Sequence, residues 1–594
     1  MTKRAEAFKE FGPWNPGLGS AIPKRLIPQS TMFRNENVET GFEEAHELAD
    51  FCGLPARETV AFRVERLIVH ELLVRVTADF SVPDGPDYEE LGINMRGMVA
   101  RIYEGHVAPR LGTLESEHKN LIDRARDFMM LEWKAIDMPQ TLDVTQPASK
   151  PGILDRLFGS EQKKNRAQAT SQHNETSLHL AQTRWSNLCG AFEASCGRAL
   201  LAATRAVLRT QGRLPADKAI LTELATNLFS NDYGSVQLGV ALGPIIEEAS
   251  AAEGYRFLPA QTEPIVMNVK GASAAGKSTI RPHQRELARK LGVPWEDFAL
   301  ISPDYWRKYL LDYESLGADY KYGAMLTGHE LEIIDRKLDR YMAEKADRGS
   351  MPHLLIDRFR FDSFTTGNDR EPGSNLLTRF GHTVFMFFMI TPPEATVERA
   401  WKRGLTTGRY KAVDDLLDHN IEAYSGMPAL FFAWALSDKQ VHFEFLDNSV
   451  PLGCKPKNVS AGWNDVLTVF DIPTFLEVEK FKKINVDAQN SNELISGEAA
   501  TLSGNTTFLD DCANRLSKLE FAEANTGRVY GVIEGGKWTF QDRDYVELRV
   551  TNDDTIAGLM ALSWGENGRT KSAGTNLERF ARGTDCTLGD LGFL

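Results

Sequence analysis

The stretch Pro264–Ile280, PIVMNVKGASAAGKSTI, decides how the rest of the chain is read. Its first half is a short apolar run of the kind that forms a buried strand, it ends in glycine, and a helical pattern follows Ser278. Gly271, four intervening residues, Gly276, Lys277 and Ser278 match the Walker A spacing. The chemistry behind that spacing is specific. Glycines and the small residues Ala272, Ser273, Ala274 and Ala275 let successive backbone N–H groups curl around a phosphate, and the next helix aims its positive end at the same place. Lys277 then reaches the β- and γ-phosphates, Ser278 offers its hydroxyl to Mg²⁺, and Thr279 accompanies it. ATP and Mg²⁺ are the implied ligands. The competing reading is a strand-to-helix turn that needs glycine and happens to carry a lysine.

Outward from this loop, to about Lys483, the apolar runs FALIS, HLLID, HTVFMFFMI and VHFEFLD alternate with amphipathic segments, as in a parallel sheet with crossover helices. The second run is followed by Pro303 and Asp304, where such a sheet presents groups beyond its carboxyl edge. A carboxylate there can orient and deprotonate an acceptor hydroxyl; the bland alternative is a cap on a helix starting at Tyr305. Asp357, closing HLLID, suits a Mg²⁺ partner or a structural acid. In ITPPEATVERAWKRGLTTGRY, Thr391 and Glu394 have capping-box spacing, and Gly404 reads as the helix end. Arg399 and Arg403 share one helix face and Arg409 follows on a segment able to close as a lid, so all three are candidates to neutralise a transferring phosphoryl group. Their alternative is a solvated basic face.

Taken together, the Gly271–Ser278 loop, DYWR at Asp304–Arg307, Asp357 and ERAWKRGLTTGR at Glu398–Arg409 resemble the zeta toxin family of small-molecule kinases, over about residues 264–483. The resemblance implies an ATP-dependent kinase with Asp304 as general base and Lys277, Arg399 and Arg409 on the phosphates. It implies an acceptor hydroxyl on a nucleotide-activated sugar of the UDP-amino-sugar type, or on a nucleotide ribose. It also implies a toxin or effector, held by an antitoxin or restrained in cis by the helical N-terminal region. The chain departs from the family pattern after Asp357, where Arg358, Phe359 and Arg360 stand; Arg370 and Arg379 in the following loop are candidates to contact the acceptor's phosphates. The alternative function is an ATP-binding switch, or a nucleotide or nucleic-acid kinase, with partner-binding flanking domains.

The remaining composition sets limits. A net charge of −14 disfavours a chain whose main task is coating nucleic acid. Six cysteines without a C-x-x-C pair indicate neither a disulfide framework nor a zinc knuckle, and no apolar run is long enough to cross a bilayer, so a cytoplasmic location is expected. The histidines of VHELL (His70) and GHELEII (His329) lack the second histidine of a zinc-protease helix. The 594 residues exceed one core, and a multidomain architecture is expected: an α/β P-loop kinase core at 259–483 with a mostly helical N-terminal region and a small α+β C-terminal domain. The helical region comprises 1–138 and a bundle segment at 178–258, joined by a polar linker at 139–177. A second linker, 484–506, precedes the C-terminal domain at 507–594, with a helix over FLDDCANRLSKLEF and a hairpin turning at Gly535 and Gly536.

Overall fold

The computed structural model describes residues 11–85, 89–137, 179, 181–215, 217–357, 377–497, 503–542, 545–546 and 587–591. The chain gathers into two compact units. One is Lys24–Leu73 with Val99–Glu253; the other is Met1–Pro23, Val74–Met98 and Gly254–Leu594. The expected boundaries therefore shift: residues 74–98 join the sheet-bearing unit, and no break separates residues beyond 506 from the core. The expected linker 139–177 lies outside the described residues.

The first unit is helical, as its apolar spacing predicts. Its helices are α1 (Phe42–Cys52), most of α2 (Val64–Asp79), the end of α3 (Glu90–Ile102), α4 (Leu111–Asp137), α5 (Ala191–Gln211), α6 (Ala219–Phe229) and α7 (Ser235–Glu253). Their shared core includes Met129, Leu200 and Phe229, with Trp133 and Trp185 edge to face at 4.9 Å. A bidentate pair from Arg184 to Glu132, at 2.6 and 2.8 Å, closes its rim. His70 is buried here with its ring 4.9 Å from Phe62, a packing role.

The second unit is built on one mixed sheet of ten strands in the order β10-β9-β8-β7-β6-β5-β4-β1-β3-β2. The strands are β1 (Ile265–Lys270), β2 (Phe298–Ile301), β3 (His353–Asp357), β4 (Thr383–Ile390), β5 (Gln440–Asp447), β6 (Lys457–Trp463), β7 (Val466–Val469), β8 (Lys518–Ala522), β9 (Val529–Glu534) and β10 (Lys537–Gln541). Strands β2, β3, β1, β4 and β5 run parallel, with Val269 paired to Asp357 on one side and to Phe387 on the other. These are the five apolar runs of the sequence. Both faces of their sheet are covered, so four of them lack the alternation of a half-exposed strand; β5 alternates in sequence, yet its polar positions His442 and Glu444 are buried as well. Helices α8 (Arg281–Lys290), α9 (Gly328–Asp347), α10 (Pro393–Thr407), α11 (Val413–Ala435), α12 (Ile472–Phe481) and α13 (Thr507–Arg515) complete the unit.

The described C-terminal residues 507–541 extend this sheet instead of forming a separate sheet of their own. β8 pairs parallel to β7, and Phe508 of α13 stacks on Phe475 at 5.0 Å in the core that also holds Phe445. The helix expected through FLDDCANRLSKLEF stops at Arg515, and its second half is strand β8. The hairpin stands as expected, with Gly535 and Gly536 at φ 57° and 71°, the left-handed pair that such a two-residue turn needs. Residues 587–591 lie against β5 and β6, fixed by a buried carboxylate. Glu444 accepts backbone N–H bonds from Leu588 and Gly589 at 2.7 and 2.8 Å, and an amide N–H from Asn458 at 2.7 Å.

Candidate active site

Parallel pairing places the carboxyl ends of β2, β3, β1 and β4 at one edge, and the sequence loads that edge with its candidate residues. The 271–276 loop leaves β1 with Ala274 at φ 61° and Gly276 at φ 90°. Gly276 cannot carry a side chain, because a Cβ there would stand 2.2 Å from the amide nitrogen of Asn448. That amide donates to the Ala275 carbonyl at 2.7 Å, and the same carbonyl accepts from Thr391 Oγ1 at 3.1 Å and Arg399 at 3.3 Å. The loop is thus braced from behind by the residue after β4, by α10 and by the turn after β5. Thr391 spends its hydroxyl on this brace; α10 begins after Pro392 without a side-chain cap, so the expected capping box is not formed.

Lys277 folds over the loop and donates to the Gly271 and Ala272 carbonyls at 3.0 and 2.9 Å. Burial lowers its ammonium from the ordinary value to about 8, while Asp357 and Asp304 pull it back up. A bound polyphosphate would add further negative charge beside it. The Thr279 hydroxyl turns back to the Gly276 carbonyl at 2.7 Å, and the Ser278 hydroxyl has no hydrogen bond among the described residues. Asp357 is buried, 3.7 Å from Arg281, and its Oδ2 accepts no hydrogen bond among the described residues. A buried carboxylate oxygen held by an ion pair beyond hydrogen-bond distance, together with an unengaged serine hydroxyl, fits the oxygen-rich demands of Mg²⁺. No cluster of three or more His, Cys, Asp or Glu suited to a metal occurs among the described residues, so such an ion would draw its other ligands from water and phosphate.

Asp304 sits in the turn after β2, where it caps no helix. Arg307 donates to one of its oxygens at 2.9 Å and Arg409 to the other at 2.7 Å. Burial would raise this carboxyl, but Arg409 and Arg307 outweigh it and hold the group well below the usual carboxylate range. Asp304 is therefore a fixed anion in this state. It becomes a proton acceptor only after the clamp loosens, for example when the arginines turn to phosphate oxygens.

Asp304 and Asp357 open onto one cavity of about 310 Å³, which Ser273 reaches from the loop but Lys277, Ser278 and Thr279 do not line. Ser273, Asp304, Asp357, Arg403 and Arg409 line it, whereas Arg399 stands behind the loop, bound to the Ala275 and Asn448 carbonyls. The expected lid is firmly built. Helix α10 continues past Gly404 to Thr407 and ends at Gly408, φ 75°. Gly404 is small for another reason: the Tyr410 ring occupies the space of its Cβ, 2.4 Å away. Arg379 lies over the Phe380 ring at 4.4 Å; Arg358, Phe359, Arg360 and Arg370 lie outside the described residues.

Several lining residues escaped the sequence reading, among them Glu332 and the group Lys411, Asp415 and His419. The i,i+4 spacing of Asp415 and His419 at the start of α11 is their one local signal, and it is too common to single them out. Trp14 was also missed; it packs on the apolar cluster of Val397, Ala400, Leu416 and Leu417, as does Ala274 of the loop. No protein-family model matches the chain, and no curated protein matches it.

Proposed function

We propose that the protein is an ATP- and Mg²⁺-dependent phosphotransferase acting on a hydroxyl of a small metabolite. The observation that carries this reading is convergence. Ser273 of the braced Gly271–Ser278 loop, the buried acid Asp357 and a carboxylate at Asp304 between two arginines line one cavity at the carboxyl edge of a parallel sheet. Mg·ATP supplies the transferable γ-phosphoryl group. The loop N–H groups and Lys277 hold its phosphates, Ser278 and Asp357 hold the metal directly or through water, and Arg403 and Arg409 neutralise charge on the moving group. Asp304, released from Arg409, orients the acceptor hydroxyl and takes its proton.

A nucleotide-activated sugar or a nucleotide ribose is the acceptor class we favour, with action as a cytoplasmic toxin or effector. Restraint by an antitoxin, or by the chain's own N-terminal residues, belongs to the same reading; Trp14 sharing a cluster with Ala274 supports the latter. The clamp on Asp304 favours a second reading, a slowly hydrolysing ATP switch, since a switch needs no acceptor base. Incubation with Mg·ATP and a metabolite extract separates the two by mass spectrometry. Phosphotransfer yields one metabolite heavier by a phosphate with wild type and not with Asp304→Asn, and a switch yields inorganic phosphate alone.

A further inference from the structure

Lys411, Asp415 and His419 form a charged group on the cavity wall that the donor-side reading does not use. Local structure fixes their positions. Gly408 ends α10 in the left-handed conformation, and the Tyr410 ring then seats against Gly404, 5.6 Å from Trp401 and 5.8 Å from Tyr320. The backbone of the next residue, Lys411, is thereby anchored beside the cavity. Asp415 and His419 lie one turn apart at the start of α11 and line the same cavity.

The Lys411 ammonium lies 2.6 Å from His419 Nδ1 and 3.1 Å from Asp415 Oδ2. An ammonium can only donate, and its contact with Nδ1 is much shorter than the 3.3 Å to Nε2, so Nδ1 is assigned as the acceptor and the ring proton to Nε2, which faces Asp415 Oδ1 at 3.4 Å. Burial, with Lys411 and Lys277 adding to it, lowers His419 to about 2, consistent with a neutral ring. These two partners engage two of the three N–H bonds of Lys411, and they are its partners among the described residues. The arrangement is a cation aimed by two neighbours, with donor capacity left for a ligand.

We propose that Lys411 is the acceptor-anchoring cation of this cavity, binding a phosphate or comparable anionic group of the acceptor while the 271–278 loop holds the donor. The assignment rests on the phosphotransferase reading. Its consequence is selectivity: an anionic acceptor is held by a group on the segment after α10, separate from the loop that grips ATP, so donor and acceptor are recognised by different elements. Burial lowers the Lys411 ammonium to about 8, with Asp415 partly restoring it, so an incoming anion gains a counter-ion that is poorly satisfied beforehand.

The test uses the full chain saturated with Mg·ADP, which fills the loop, and inorganic pyrophosphate as the acceptor-side probe in calorimetric titrations. Lys411→Met should weaken pyrophosphate about tenfold or more with Mg·ADP affinity unchanged, and Lys411→Arg should restore most of it. Asp415→Asn, which removes the competing carboxylate, should tighten pyrophosphate binding. This opposite sign keeps the test decisive where Lys411→Met does not fold, because a purely structural ion pair predicts no gain. Unchanged pyrophosphate binding in Lys411→Met overturns the assignment. So does a selective loss of a non-hydrolysable Mg·ATP analogue relative to Mg·ADP, which would give Lys411 to the donor's γ-phosphate. Failure of the wild type to bind Mg·ADP would instead refute the phosphotransferase reading.

Discussion

If the protein binds Mg·ATP as proposed, raising the pH above 8 should weaken that binding, and Lys277 is the reason. Its ammonium sits at about 8 in the ligand-free chain because burial opposes the charge, with Arg403 and Arg409 acting in the same direction and Asp357 and Asp304 against it. Two or three phosphate charges placed against it reverse that balance and raise its pKa. Binding therefore takes up a proton, and the affinity it supports is complete below 8 and lost as pH climbs from the ligand-free value towards the bound one. If the bound value exceeds 10, the Mg·ADP dissociation constant rises about 25-fold between about pH 7.5 and 9.5, or about 1.9 kcal/mol. The phosphate's own titration near 6 lies below this window. Calorimetry across that range reads the effect directly, and proton uptake appears as a dependence on the buffer's ionisation enthalpy. Lys277→Met should bind weakly and with little pH dependence, while Lys411→Met, which removes the other lysine lowered to about 8, should keep the full slope. A flat wild-type profile, or a slope that survives in Lys277→Met, would refute the role assigned to Lys277. The same shift has a separate effect on folding: the unfolded chain holds this proton more tightly, so the contribution of Lys277 to stability grows as pH rises from about 8 to 10.5.

Asp304→Asn should leave Mg·ADP affinity near wild type and lower turnover about 10²-fold or more in steady-state assays, whereas parallel losses in binding and rate would make it a metal or structural residue. Arg399→Ala and Arg409→Ala should separate. The first removes donors to the Ala275 and Asn448 carbonyls, at 3.3 and 2.5 Å, and should cost about 2 kcal/mol of stability in denaturant unfolding together with nucleotide affinity. The second should spare Mg·ADP binding and slow transfer about 10²-fold, and reversal of that pattern would return Arg399 to the phosphates.

The parallel half of the sheet was legible because its central strands, β4 above all, are nearly continuous apolar runs, a local pattern that burial on two faces imposes. The loop and both edge acids were legible for a related reason, since their positions follow directly from strand ends. The attachment of β8 to β7 was not. It pairs residues about 50 positions apart, and KLEFA reads equally well as the tail of the preceding helix. Gly404 misled because two glycines four residues apart could each end α10, and only the Tyr410 ring decides between them. Arg399 was assigned to the phosphates on its spacing from Arg403, yet a helix face says nothing about which carbonyls lie opposite it. Lys411 carries no local signature and His419 only its common i,i+4 spacing from Asp415; their chemistry comes from burial against each other and exists only in the folded chain.

The central claim, transfer of a phosphoryl group to a small-molecule hydroxyl, is tested most directly by supplying Mg·ATP with heavy oxygen in its γ-phosphoryl group to the full chain and a metabolite extract. The account predicts that the heavy phosphoryl group appears intact on a single metabolite with wild type, and is absent with Lys277→Met. Recovery of the label only as inorganic phosphate, at equal rates with and without the extract, would contradict it.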